Sequence, residues 1–314
     1  MDIRDKINLQ IDDNFYKEEI RCDFLVTEKT KKIWAVELDL LNELMRICEI
    51  HKIKMSVWAG TLLGAVRHNG MIPWDDDIDV CLSREDYESL CEIAPQEFKY
   101  PYFFQNVKTD SQYLIGYSRL RNSLTTGYIV GDDSLNYNNG IYIDVFVLDG
   151  LVNNEYLLRK QIRNQKYLLN LFNLYNRNFY SKKPLKGCIK RLLSNVMHAT
   201  VFNFINKDSI VNAYKRSLMK YNEAAGQLSM ITHPLDFAKK YWLTSSDLEN
   251  IIYLPFESIS VPVPSNYKEI LTHIYGNYME FPPVEKRGAW HEGIIEFDPD
   301  TPYEEFINNR VDKR

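Results

Sequence analysis

The sequence predicts an α+β fold in which helices flank a mixed β-sheet core and a basic helical segment is inserted. Apolar residues recur at helical spacing over residues 30–54. Short β-rich runs then alternate with helix-like segments up to residue 150, which is typical of an α/β or α+β core. From 156 to 207 the chain has no Asp or Glu but eleven Lys and Arg, with Leu and Phe interleaved at helical spacing.

Each element of the predicted core has a local reason. After the first helix, "KMSVWAG" predicts a short strand that ends at Gly60, and "TLLGAVRH" predicts a helix with Thr61 near its start. "IDVCL" predicts a second strand. The helix "SREDYESLCEIA" follows it, and Ser83 is placed to cap that helix with Asp86 three residues later.

Two further β-rich runs, "YLIGYSRLRNSLTT" and "GIYIDVFVLDG", are separated by a turn-forming stretch. The chain is expected to divide into four regions: an N-terminal segment 1–29, a core 30–154 that carries the candidate site described below, a helical basic insertion 155–250, and a C-terminal segment 251–314 that completes that site.

Composition narrows the class of protein. The formal net charge of −5 argues against a general nucleic-acid binder, and no nucleic-acid partner is expected. The five cysteines include no C-x-x-C pair, the first residues are polar, and no window is apolar enough to span a bilayer. These features predict a cytoplasmic protein.

The stretch "PWDDDIDV" places four carboxylates within five residues beside an apolar strand. If the whole stretch is extended, Asp75, Asp77 and Asp79 share one face while Asp76 points to the other with Ile78. Two carboxylates two residues apart suit Mg²⁺, which prefers oxygen ligands.

Three interpretations compete for this acidic run. A solvated acidic loop is the simplest. A calcium-binding loop requires Gly and Glu where this chain has Val80 and Asp86, so it is rejected. The third interpretation is a nucleotidyltransferase-type site, in which a Gly-Ser or Gly-Thr turn opens a helix and an acid-apolar-acid strand follows. Gly60-Thr61 and Asp77-Ile78-Asp79 match these two parts. The amides at the start of the helix and the Thr61 hydroxyl would bind phosphate beside a metal ion held by the two acids.

A third carboxylate is expected from a later strand of such a site. Asp144 lies within the otherwise apolar run "GIYIDVFVLDG", where a lone carboxylate would be costly without a partner. A structural Asp with a satisfied partner is the alternative.

These motifs resemble the LicD family, which includes the fukutin-related proteins. The resemblance rests on "WAGTLLGAVRHNGMIPWDDDIDV", "SRLRNSLTT", "YIDVFVLD" and "VPVPSNYKEILTHIYGNYMEFPPVEKRGAWH", which together span about residues 30–295. It implies a nucleotidyltransferase-like fold and Mg²⁺-dependent (or Mn²⁺-dependent) transfer of phosphocholine from CDP-choline, with release of CMP. The implied acceptor is a glycan, expected to be lipid-linked, that offers a sugar hydroxyl of a teichoic acid, lipopolysaccharide or capsule precursor.

Several alternatives stay open at this stage. The transferred group could be ribitol, glycerol or ethanolamine phosphate, or the enzyme could use an NTP and release pyrophosphate. A polysaccharide- or membrane-binding protein with an inactive site is the non-enzymatic alternative. The basic stretch 156–207 is expected to contact an anionic inner leaflet, or else an anionic polymer.

The resemblance also suggests roles for individual residues. Asp77, Asp79 and Asp144 are the expected metal ligands, with Asp144 also a candidate base. Arginines suit bidentate phosphate contacts, and aromatic faces attract a quaternary ammonium by about 0.5–2 kcal/mol per ring. The expected donor-binding residues are Gly60, Thr61, Arg67, His68, Arg119, Arg121, Lys286, Arg287 and His291, with Trp74 and Trp290 as candidate choline contacts.

Overall fold

The structure is a computed structural model that describes residues 2–130, 137–177, 184–287 and 294–311. The helices in these ranges are α1 (Glu28–Ile50), α2 (Ala59–His68), α3 (Arg84–Glu97), α4 (Glu155–Tyr175), α5 (Pro184–Thr200), α6 (Lys207–Leu218), α7 (Leu235–Lys240), α8 (Ser245–Glu249), α9 (Tyr267–Tyr275) and α10 (Tyr303–Val311). The strands are β1 (Glu19–Arg21), β2 (Phe24–Val26), β3 (Ser56–Val57), β4 (Asp79–Ser83), β5 (Tyr102–Gln105), β6 (Ser118–Asn122), β7 (Thr126–Ile129), β8 (Ile141–Gly150), β9 (Leu228–Ser229), β10 (Trp242–Leu243), β11 (Ile251–Phe256), β12 (Ile259–Pro264) and β13 (Ile294–Asp298).

A mixed seven-stranded sheet forms the centre of the molecule, as the sequence predicted. The order β10-β9-β8-β4-β3 runs along one path, and the β5-β6 pair joins it through β8. The β4-β8 pair is parallel and the other pairs are antiparallel. Strand β8 is buried along its whole length because it has a partner on each side and helices against its faces.

Helix α1 provides the main cover of this sheet. It begins at the cap Thr27, whose side chain accepts a hydrogen bond from the Thr30 amide, and it packs on β8 and β6. Its inward stripe includes Trp34, Leu38 and Leu41, all fully buried. The predicted helix over 30–54 therefore exists with slightly earlier bounds, and the predicted Ser83 cap of α3 is also confirmed.

The acidic run differs from the expected continuous strand. A turn at Pro73 and Trp74 is followed by four irregular residues, and β4 begins only at Asp79. The alternation argument therefore fails for the first three aspartates: Asp76 is buried, and its carboxylate lies within 4.8 Å of those of Asp75 and Asp77 instead of on the opposite face.

The region expected as a basic insertion contains two kinds of structure. Helices α4, α5 and α6 pack together around Phe172, Phe202 and Ile210. The chain then returns to the central sheet, where β9 pairs with the end of β8 and β10 pairs with β9. The second half of the segment 155–250 thus extends the core sheet.

Candidate active site

The register of the central sheet builds the site. Asp79, the first residue of β4, lies directly opposite Asp144 of β8, and Asp144 lies directly opposite Arg119 of β6. Residues in register on adjacent strands project to the same face. The side chains of Asp79, Asp144 and Arg119 therefore lie in one row across three neighbouring strands, on the same face of the sheet.

The three carboxylates predicted as metal ligands converge beside this row. Asp77, Asp79 and Asp144 each offer an oxygen atom, and the three atoms lie within 4.8 Å of one another. Oxygen atoms of Asp75, Asp76 and Asp77 also lie within 4.8 Å of one another, so Asp77 belongs to both groups. The four carboxylates of the acidic run therefore lie close together at the N-terminal end of β4.

The backbone of Asp79 is held at both of its polar groups. The Asp79 amide donates to the Thr61 hydroxyl oxygen at 2.8 Å, and its carbonyl accepts from the Trp58 amide at 2.8 Å. Thr61, expected to donate to phosphate, is only 4% exposed, and its hydroxyl oxygen accepts the hydrogen bond that ties α2 to β4.

Arg119 is ion-paired with one of these acids. Its Nε donates to Asp144 Oδ1 at 2.7 Å, and its guanidinium lies 3.7 Å from the ring centre of Tyr142. Arg121, expected to share its role, is fully buried: its Nε donates to Gln105 at 2.5 Å and its Nη1 to the Gly140 carbonyl at 2.7 Å. The structure therefore gives Arg121 a supporting position beneath Tyr142.

Two buried carboxyl groups of the site, those of Asp79 and Glu37, are electrostatically unfavourable in their ionised form. Burial, followed by the charges of Asp77 and Asp144, raises the pKa of Asp79 well above its ordinary value. Its Oδ1 is closed to solvent and has no hydrogen-bond partner among the described residues. Glu37 of α1 is also buried without a partner there, and burial and Asp77 raise its pKa well above the usual range.

These features fit a hard divalent cation. Mg²⁺ takes carboxylate oxygens and leaves other positions to water and substrate phosphates. Asp77, Asp79 and Asp144 would hold it, because they offer converging oxygens, one of which is buried and unpartnered among the described residues.

The acids open into a cavity of about 740 Å³. Gly60 lines the cavity, and a Cβ at this position would lie only 2.7 Å from Asp75 Oδ2. Glycine therefore leaves room for the Asp75 carboxylate. Arg119 and Tyr142 also line the cavity.

Other residues predicted for the donor site lie in a separate cluster. Arg67 donates to the Tyr278 carbonyl at 3.0 Å, and His68 stacks on Phe281, with its pKa lowered to about 4 by burial and by Arg67. Trp74 contacts the same Phe281 ring, and the Arg287 guanidinium lies 4.8 Å from the Trp74 ring centre.

None of Arg67, His68, Trp74 and Arg287 is among the described residues that line the cavity, so their expected contact with the donor finds no support there. Lys286 is exposed in the short 3₁₀ turn Val284–Lys286. Trp290 and His291 lie outside the described residues.

Sequence reasoning missed an aromatic part of the cavity lining. Its members come from α7, α9 and the residues beside α7, and also from β8, β13 and the residue before β6. They are Tyr117, Phe146, His233, Phe237, Tyr241, Tyr275 and Phe297. The one local signal was the density of rings in "HPLDFAKKYW", which spacing alone did not connect to the site.

Comparison with known proteins defines the class of this site. Residues 52–125 match the family described as LicD/FKTN/FKRP, nucleotidyltransferase domain. This range contains the Gly60-Thr61 turn, the acidic run and Arg119. The segment 52–125 is therefore similar to the nucleotidyltransferase domain of the LicD family, and the resemblance drawn from the motifs is confirmed.

The chain is also similar to individual proteins. It is 25% identical over 254 residues to the lipopolysaccharide cholinephosphotransferase LicD of Haemophilus influenzae, a match that covers 81% of this chain and 92% of the relative. Uncharacterised proteins of Rickettsia prowazekii and Rickettsia typhi are 44% and 42% identical over 57 residues, which is 18% of this chain and 21% and 18% of theirs.

In the described parts of the chain, no helix has the length and apolar character needed to cross a membrane.

Proposed function

We propose that this protein is a phosphotransferase that moves phosphocholine from CDP-choline to a sugar hydroxyl of a cell-surface glycan and releases CMP. The similarity to a lipopolysaccharide cholinephosphotransferase over most of both chains supports the reaction. The observation that carries the proposal is the convergence of Asp77, Asp79 and Asp144 at a cavity that also contains Arg119.

The residues suit attack of a hydroxyl on phosphorus. Such transfer depends mainly on positioning and charge neutralisation. Arg119 uses Nε to hold Asp144 and retains further N–H donors for a phosphate oxygen. In the proposed step the sugar oxygen bonds to the distal phosphorus, the bond to the CMP oxygen breaks, and Asp144 accepts the hydroxyl proton.

A metal ion is part of the proposal. Asp77, Asp79 and Asp144 would hold Mg²⁺, or Mn²⁺ in its place, and the bound cation would neutralise charge on the diphosphate.

Product analysis tests this function against its alternatives. The purified protein is incubated with Mg²⁺, a lipopolysaccharide-type acceptor and, in turn, CDP-choline, CDP-ethanolamine, CDP-glycerol, CDP-ribitol or CTP. We expect CMP release with CDP-choline, lost in Asp79→Asn and retained in Glu92→Gln, which alters an exposed acid on α3. Pyrophosphate from CTP would establish the nucleotidyltransferase alternative, and no turnover of any donor would favour a binding protein.

We further propose that the acceptor is lipid-linked and that the basic helices bring the enzyme to the inner face of the membrane. Helix α5 supports this proposal because Ile189, Leu192 and Leu193 are exposed beside Lys190 and Arg191. Phe204, just beyond α5, is 90% exposed. Apolar side chains flanked by cations suit an anionic lipid surface.

Vesicle sedimentation tests the membrane contact. We expect binding to vesicles containing phosphatidylglycerol and little binding to pure phosphatidylcholine. Replacing Leu192 with Ser should weaken the binding, whereas Tyr253→Ser, at a similarly exposed ring on β11, should not. Equal sedimentation of both variants with wild type would remove the proposed role of α5.

A further inference from the structure

The aromatic lining of the cavity forms a continuous series of rings. Phe146 meets His233 edge-on with centroids 5.4 Å apart, and His233 stacks on Phe237 at 5.5 Å. Phe237 stacks closely on Tyr241 at 4.3 Å, and Tyr241 meets Tyr275 at 6.0 Å with the ring planes 86° apart. We call these five residues the aromatic wall; all of them line the cavity that contains the acids.

We propose that the aromatic wall binds the quaternary ammonium of the transferred choline group, an inference that rests on the function proposed above. Ring faces carry negative quadrupole charge and attract a cation that is too alkylated to form hydrogen bonds. The perpendicular faces of Tyr241 and Tyr275 form a corner in which a single cation can approach two rings. The ammonium of the exposed Lys240 lies 5.7 Å from both ring centres, and the choline group would take its place.

The carboxylates near the wall favour a cation. The carboxylate of Asp144 acts on His233, while those of Asp79 and Asp75 act on Tyr241 and Tyr275. Burial lowers the pKa of His233, so its ring is neutral near pH 7 and does not repel a positive group. The ammonium would therefore lie on uncharged rings within the negative field of the acids.

A nucleobase is a poorer occupant of the same wall. A cytosine needs hydrogen-bonding partners for its polar edge as well as a stacking surface. Among the described residues that line the cavity there is no Asn, Gln, Ser or Thr. The wall itself offers hydrogen-bonding groups only from His233, Tyr241 and Tyr275, whereas a trimethylammonium group requires none and uses the ring faces.

The expected choline contact at Trp74 is less suitable for a cation. The Trp74 ring is contacted by Phe24, His68 and Phe281, and the Arg287 guanidinium already lies over it. A second positive group there would meet the charge of Arg287, which hydrogen bonds to the Pro282 and Cys22 carbonyls hold in place. Lys240, beside the wall, is exposed and makes no side-chain hydrogen bond among the described residues.

A matched pair of variants tests the inference. Phe237 and Phe281 are exposed to similar extents, 42% and 44%, but only Phe237 belongs to the aromatic wall. Calorimetric titration with Mg²⁺ compares CDP-choline with CDP-3,3-dimethylbutanol, in which carbon replaces the charged nitrogen. The ratio of the two dissociation constants isolates the contribution of the positive charge.

We expect wild type and Phe281→Ala to prefer CDP-choline equally. Phe237→Ala should reduce that preference by about 2- to 30-fold, and Phe237→Tyr should retain it. A thermal melt of each variant confirms that it is folded.

The possible failures are distinct. If wild type binds CDP-choline but Phe237→Ala leaves the ratio unchanged, or Phe281→Ala lowers it, the wall is the wrong site and the proposed function stands. If wild type binds CTP but not CDP-choline, the proposed function fails and this inference fails with it.

Discussion

Replacement of Thr61 separates two roles for its hydroxyl. If the hydroxyl served only to bind phosphate, its loss would weaken donor binding and leave the stability of the free protein unchanged. In the structure the Thr61 oxygen accepts from the Asp79 amide at 2.8 Å, in a position that is 4% exposed. Thr61→Val keeps the shape of the side chain and leaves that amide without its acceptor.

The expected loss is about 1–3 kcal/mol in the free energy of unfolding, the usual consequence of leaving a buried donor unsatisfied. Urea unfolding of the ligand-free protein measures it. Thr61→Ser is the matched control because it retains the oxygen, and it should lose much less than Thr61→Val. Unchanged stability of Thr61→Val, with weaker binding of CDP-choline, would refute the structural role and restore the phosphate-donor interpretation.

Three further predictions concern the surroundings of the acids. The pKa of Glu37 is raised in the folded state, so between the unfolded and folded pKa values the folded protein binds a proton that the unfolded chain has lost. Over that pH range the free energy of unfolding should fall by up to about 1.4 kcal/mol per pH unit. When urea unfolding midpoints are measured against pH, Glu37→Gln should show a smaller decrease with rising pH than wild type. Equal pH dependence of the two proteins would contradict the raised pKa of Glu37. Arg119→Met should lower the free energy of unfolding by about 3–5 kcal/mol, because it leaves the Asp144 carboxylate unpaired. The double variant with Asp144→Asn should recover part of this loss, and a double-mutant cycle without coupling between the two positions would contradict the ion pair. Gly64→Ala should lower the free energy of unfolding, measured in urea, by about 1–3 kcal/mol, because the added Cβ would lie 2.5 Å from the Gly70 carbonyl oxygen. A variant as stable as wild type would show that the segment at Gly70 moves to accommodate the methyl group.

Local patterns were sufficient for much of the fold. The stripe on α1, the Ser83 cap and the apolar run of β8 depend on neighbours in sequence, and each was predicted. The spacing of the acid-apolar-acid motif likewise singled out Asp77 and Asp79 as carboxylates that converge. The same reasoning failed where a turn at Pro73 interrupted the expected strand and changed the direction of Asp76.

The sequence by itself determined the chemistry available to this protein: closely spaced carboxylates, a glycine-led helix and a strand carrying arginines. Tertiary structure decided which of these groups meet. The β6-β8 register placed Arg119 opposite Asp144, while Arg121, two residues further along the same strand, became fully buried. The packing of α7 and α9 brought Phe237 and Tyr275 to the acids. Such contacts depend on strand register and helix packing between distant segments, and no pattern of adjacent residues encodes them.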